Sequence, residues 1–100
     1  MVEVKWLPKA LDDIDRIAEY ISKDSERYAE KLVRRIFERA ELLESNPFLG
    51  RMVPEFRKKN LRELIIENYR LVYLVYHERV TLSEFIIQKE KCQEKIYLNS

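Results

Sequence analysis

The spacing of apolar residues changes period once, near the middle of the chain. Val2 to Trp6 alternates apolar and charged residues, Val-Glu-Val-Lys-Trp, and reads as a short half-buried strand. Pro8 follows, suited to the first turn of a helix. Ala10, Ile14, Ile17 and Ile21 then recur at helical spacing, with Leu11 and Ala18 widening the stripe. This predicts an amphipathic helix from about Pro8 to Ser22, with Asp12, Asp13, Asp15, Arg16 and Glu19 on the other face. Ser22-Lys23-Asp24-Ser25 interrupts the pattern and supplies N-cap residues. Ala29, Leu32, Val33, Ile36, Phe37, Ala40 and Leu43 form the apolar face of a second helix, about Ser25 to Glu44. It stops at Asn46-Pro47, where proline cannot continue it. A connection this short between two apolar-faced helices predicts an antiparallel hairpin.

The second half reads at strand period. Leu61 to Glu67, Tyr69 to Tyr76 and Val80 to Gln88 are β-rich runs separated by Glu67-Asn68 and His77-Glu78-Arg79, an antiparallel meander. Lys89 to Leu98 is expected to be a short C-terminal helix or an irregular tail. The fold class is therefore α+β and two-layered, in the order β-α-α-β-β-β. A helix hairpin packs on one face of a mainly antiparallel four-stranded sheet, as one domain over residues 1–100. The middle run is apolar on both faces: Tyr69, Leu71, Tyr73 and Val75 on one, Val72, Leu74 and Tyr76 with Arg70 on the other. A sheet with helices on one side is expected to be solvated on the other. The apolar second face implies a cover, whether the C-terminal segment, another subunit or a binding partner.

Composition narrows the class. A hydrophobic fraction of 46% in 100 residues fits a folded domain with one modest core. The single Cys92 and single His77 leave no internal disulfide and no Cys/His metal cluster within one chain, and a reducing, cytoplasmic setting is expected. No apolar run is long enough to span a bilayer, and the N-terminus lacks a signal-peptide h-region. The net charge of +1 is unevenly placed: four basic against seven acidic residues from Pro8 to Glu30, and six basic against three acidic from Asn46 to Arg70. A polyanion would be met locally, through the second half.

Few residues suggest chemistry. His77 sits alone in a hairpin turn. Ser22, Ser25 and Ser45 lie at helix ends, where capping accounts for them. Cys92 among lysines reads as a structural or incidental thiol. One glycine excludes a Gly-rich phosphate loop, and Gly50 is expected to provide a left-handed turn after the second helix. Arg57-Lys58-Lys59 reads as a solvated loop. Arg62 and Arg70 stand out, because an arginine in an apolar strand must snorkel, pair with a carboxylate or meet an anion. Glu55, Glu63 and Glu67 are the nearby carboxylates, and both pairing and anion binding stay open.

The strand–helix–helix–meander order, with Asn46-Pro47-Phe48-Leu49-Gly50-Arg51-Met52-Val53-Pro54-Glu55, then Leu61-Arg62-Glu63-Leu64 and Tyr69-Arg70-Leu71-Val72-Tyr73, resembles the RelE/ParE superfamily of bacterial and archaeal toxins. Trp6 with Ala10, the stretch Asp13 to Ile21, and Ala29 also fit, so the resemblance runs to about Gln88. It implies the toxin of a type II toxin–antitoxin module, neutralised by a small cognate antitoxin through which it could oligomerise, with no cofactor, no metal and no membrane. Two activities occur in the superfamily: RelE-like members cleave mRNA in the ribosomal A site, and ParE-like members poison DNA gyrase. For the RelE chemistry the resemblance assigns Arg62, Arg70, Lys91 and Tyr97 as catalytic residues, while the second lysine of that pattern falls at about Leu64, which carries no charge. For target or antitoxin binding it suggests Arg51, Glu55, Arg62, Arg70 and Tyr76. The Gly-Arg-x-Val-Pro-Glu and Leu-Arg-Glu features and the near-neutral charge lie closer to ParE. Gyrase inhibition is therefore the leading expectation, followed by ribosome-dependent cleavage and then by a non-toxic interaction module of the same fold.

Overall fold

The computed structural model describes residues 1–88. The elements are β1 (Glu3–Trp6), α1 (Pro8–Ser22), α2 (Glu26–Glu41) with a 3-10 turn at Leu42–Glu44, β2 (Arg51–Met52), β3 (Leu61–Ile66), β4 (Tyr69–Tyr76) and β5 (Arg79–Ile87). The expected element over Lys89 to Leu98 lies outside the described residues. The strands form one sheet in the order β1-β5-β4-β3-β2. β1 runs parallel to β5, and the other neighbouring pairs are antiparallel.

Both helices form where the apolar stripe requires them. Pro8 opens α1, and its missing N–H is no loss in the first turn. Ser25 caps α2, its side chain accepting a hydrogen bond from the Tyr28 backbone at 3.1 Å. The stripe of α1 buries Ala10 and Ile14, and that of α2 buries Ala29, Leu32, Ile36 and Ala40. They pack on one face of the sheet against Leu64, Ile66, Leu71, Tyr73, Val75, Val80, Leu82 and Phe85. Trp6 closes one end against Phe37, ring centroids 4.8 Å apart.

Three details depart from the pattern reading. Among the described residues the sheet has five strands rather than four, because Arg51–Met52 pairs with Arg62 and Glu63 on β3. Two residues carry no alternation, so nothing in their spacing marks a strand. Gly50 is not in a left-handed turn, since no glycine here has positive φ. It is needed for close approach: a Cβ at this position would sit 2.4 Å from the Glu63 carbonyl oxygen and 2.8 Å from the Tyr73 hydroxyl. The Tyr73 hydroxyl accepts a hydrogen bond from the Gly50 N–H at 2.8 Å, which ties the start of β2 to the core. Finally, β5 carries a bulge. Val72 pairs with Glu84 and Tyr73 with Leu82, leaving Ser83 unmatched. Asp13 on α1 accepts the Phe85 N–H at 3.1 Å just past the bulge, so the irregularity is fixed from the helix layer.

Candidate functional site

Strand alternation sorts the charged residues of the second half between two faces. On β3 and β4, Arg62 pairs with Tyr73, Leu64 with Leu71 and Ile66 with Tyr69, and these share the helix side. Leu61 pairs with Leu74, Glu63 with Val72 and Ile65 with Arg70, and these share the opposite side. Arg51 stands opposite Glu63 on β2 and joins that outer side. Arg62 and Arg70 thus belong to opposite faces of the sheet.

The outer face carries an ion-pair cluster. The Glu63 side chain is wholly buried and divides its oxygens between two arginines. Oε1 accepts from Nη1 of Arg70 at 3.0 Å, and Oε2 accepts from Nε of Arg51 at 2.7 Å. Arg70 also donates to Glu55 from the β2–β3 connection, Nη1 to Oε1 at 3.2 Å and Nη2 to Oε2 at 2.9 Å. A buried carboxylate is tolerated when paired and hydrogen-bonded, and here both oxygens are engaged. The hydrogen bonds from Arg70 hold the Glu55 carboxyl below its ordinary range. In return Glu55, foremost, with Glu63 raises the Arg70 pKa further, so the guanidinium is permanently charged. Val53, buried two residues before Glu55, anchors the loop that delivers the second carboxylate.

Among the described residues Arg62 meets no carboxylate. Its Nε donates to the Lys59 carbonyl at 2.7 Å and its Nη1 to the Gly50 carbonyl at 3.1 Å. The guanidinium lies over the Phe48 ring, 4.9 Å from its centroid. It clamps the turn before β2 to the start of β3. Tyr76 shares the outer side with Arg70 but lies six residues further along β4, roughly 20 Å away at strand rise. It is 44% exposed and stacks with Arg79 at 5.2 Å. Lys91 and Tyr97 lie outside the described residues. The structure therefore brings together Arg51, Glu55 and Arg70 of the expected set, with Glu63 as their centre, and leaves Arg62 and Tyr76 apart from them. Glu67, the third carboxylate considered for the strand arginines, instead accepts from Tyr28 and Arg35 of α2. Arg57, Lys58 and Lys59 are exposed.

Sequence reasoning named Glu63 only as a pairing residue. Its central place had one sequence signal, an ionisable residue on the same strand face as apolar Leu61 and Ile65. The bond from Gly50 to Tyr73 had none, because it joins positions 23 apart. Between α1 and α2 lies an open groove of about 570 Å³, lined by Ala18, Ala29 and Val33 together with Glu19, Glu26, Glu30 and Arg34. A groove this open suits contact with a surface better than enclosed chemistry. Among the described residues no group of three or more His, Cys, Asp or Glu side chains could hold a metal ion. No helix among them is long and apolar enough to cross a membrane.

Comparison with known proteins points one way. Residues 4–91 match the family described as ParE toxin of type II toxin–antitoxin system, parDE. Among solved structures, the chain resembles the chromosomal ParDE toxin–antitoxin system from P. aeruginosa, with TM-score 0.71 and 23% identity over 87% of this chain and 96% of that one. It also resembles the YoeB dimer from Staphylococcus aureus, with TM-score 0.57 and 18% identity over 85% and 94% of the two chains. A third likeness is to a conserved hypothetical protein, HP0894, from Helicobacter pylori, with TM-score 0.50 and 18% identity over 89% and 97%. At these identities the likenesses concern the fold. No curated protein sequence matches the chain.

Proposed function

The chain belongs to the ParE toxin family of type II toxin–antitoxin systems, and from that premise we propose that it arrests growth by inhibiting DNA gyrase and is silenced in the cytoplasm by a cognate antitoxin. The observation that carries this reading is the state of Arg70. Cleavage of RNA by its own 2′-hydroxyl needs a base and cations converging on one phosphate. Here Arg70 is engaged by Glu63 and Glu55, while Arg62, the other described arginine of the RelE-like set, lies on the opposite face of the sheet. Inhibiting a protein target asks for a binding surface and no such convergence. The net charge of +1 also fits a protein target better than docking among the phosphates of ribosomal RNA. Within this reading Arg51, Glu55 and Arg70 form one contact area for target or antitoxin, with Arg62 and Tyr76 at separate points of the surface.

Expression in cells tests the reading. Induction of the chain alone should slow growth, co-expression of the antitoxin should restore it, and plasmid from arrested cells should have lost negative supercoils while reporter mRNA stays whole. Arrest with cut mRNA and normal supercoiling would replace gyrase by the ribosome. Unaffected growth at high soluble expression would leave a toxin fold that only binds.

A further inference from the structure

A second feature of the surface lies at the end of the sheet where β4 turns into β5. It is a cleft of about 350 Å³, lined by Val2, Pro47, Phe48, Val75, Tyr76 and His77. Each of its two large aromatic rings carries an arginine. Arg62 lies over Phe48, 4.9 Å from the ring centroid, and Arg79 lies over Tyr76 at 5.2 Å. Phe48 is 52% exposed, yet the arginine over it is held, because it donates to the backbone carbonyls of Lys59 and Gly50. Neither guanidinium meets a carboxylate among the described residues. Arg79 forms no ion pair with Glu3, its register partner on β1, or with Glu78 beside it in the turn. Two cations without acidic partners thus adjoin an apolar cleft.

We propose that this cleft docks an acidic segment of a protein partner, which places one apolar side chain in the cleft against Phe48 and Tyr76 and sets carboxylates on Arg62 and Arg79. The anchor is apolar because the lining is apolar or aromatic apart from His77. Aromatic rings and arginines are the residues on which protein interfaces concentrate their binding energy. The flanking groups are acidic because a guanidinium stacked on a ring has already lost part of its freedom and pairs with a carboxylate at lower entropic cost. Arg62 also has N–H groups beyond the two that the carbonyls take. A nucleic-acid strand fits less well. It asks for cations along a groove that tracks its phosphates, and no lysine or arginine among the described residues lines this cleft. The inference concerns the chemistry of the partner and holds whether or not gyrase is the target.

The test follows the Phe48, Tyr76 and His77 side-chain NMR resonances during titration with the end-capped peptide Glu-Asp-Phe-Asp-Glu at constant ionic strength. Gln-Asn-Phe-Asn-Gln removes its charges, and Glu-Asp-Ala-Asp-Glu removes its anchor. The acidic Phe peptide should saturate these resonances in the millimolar range, and each of the other two should bind at least about threefold more weakly. Arg79→Gln should narrow the gap between the acidic and neutral peptides. Phe48→Ala should narrow the gap between the Phe and Ala peptides, and Tyr76→Ala supplies the same comparison should that variant fail to fold. Equal responses to the three peptides, no saturable response, or gaps unchanged in the folded variants would overturn the site. Saturation by oligothymidylate without saturation by the peptide would assign the cleft to nucleic acid, and concentration-dependent shifts in the protein alone would assign it to a second copy of the chain; either result would overturn the acidic segment.

Discussion

Glu63 on β3 and Arg70 on β4 meet at 3.0 Å, with side-chain exposures of 0% and 8%, on the side of the sheet that faces away from the helices. Breaking a buried pair by removing one partner leaves an uncompensated charge and costs about 3–5 kcal/mol. Glu63→Ala should therefore lose a large share of the stability of a domain this size, seen as a fall in the urea midpoint. Replacing both members by leucine removes the unmatched charge as well as the pair. Glu63→Leu/Arg70→Leu should unfold at a higher urea concentration than Glu63→Ala. A double variant as unstable as the single one would mean that the pair is not the unit that matters.

Gly50 is required by contact rather than by backbone conformation. Gly50→Ala places a methyl 2.4 Å from the Glu63 carbonyl, and backbone cannot swing aside as a side-chain tip can. The expected loss is about 1–3 kcal/mol. Tyr73→Phe deprives the buried Gly50 N–H of its acceptor and should cost about 1–3 kcal/mol by itself. The two act on one junction, so their combination should fall short of the sum. Thermal unfolding of the two variants and the double variant measures this, and full additivity would contradict it.

Glu55 sets a pH dependence of definite sign. Arg70 depresses its folded-state pKa below the ordinary 4.5, so the unfolded chain takes up the proton first. The stabilisation is complete above about pH 4.5 and is lost as pH falls through the depressed value. The carboxylate is partly exposed, so the contribution is about 1 kcal/mol at most. Wild type should exceed Glu55→Gln by that margin at neutral pH, and the gap should close as the pH falls below 4.5. A gap that widens on acidification would contradict the assignment.

Much of this architecture was legible because each element carries its own local signal. The stripe from Ala10 to Ile21, Pro8 at the helix start and Ser25 at the cap place both helices to within a few residues, and the alternation of β3, β4 and β5 places the meander. What was not legible depends on long-range contact. β2 is two residues long and exists because Gly50 lets its backbone approach Glu63. The bulge at Ser83 is fixed by Asp13, 72 positions from the Phe85 N–H it accepts. The candidate site was half legible: Arg62 and Arg70 announce themselves as charges in apolar strands. Register then sends them to opposite faces, and the choice of carboxylate follows from a loop whose path no local pattern records.

A protein target and an RNA target are told apart most directly in vitro. Purified wild-type chain should be assayed side by side on gyrase supercoiling of relaxed plasmid and on A-site mRNA in programmed ribosomes. A gyrase inhibitor should cause dose-dependent loss of supercoiling, reversed by the antitoxin, with the mRNA left intact. Cleaved mRNA and unimpaired gyrase at the same concentrations would contradict it.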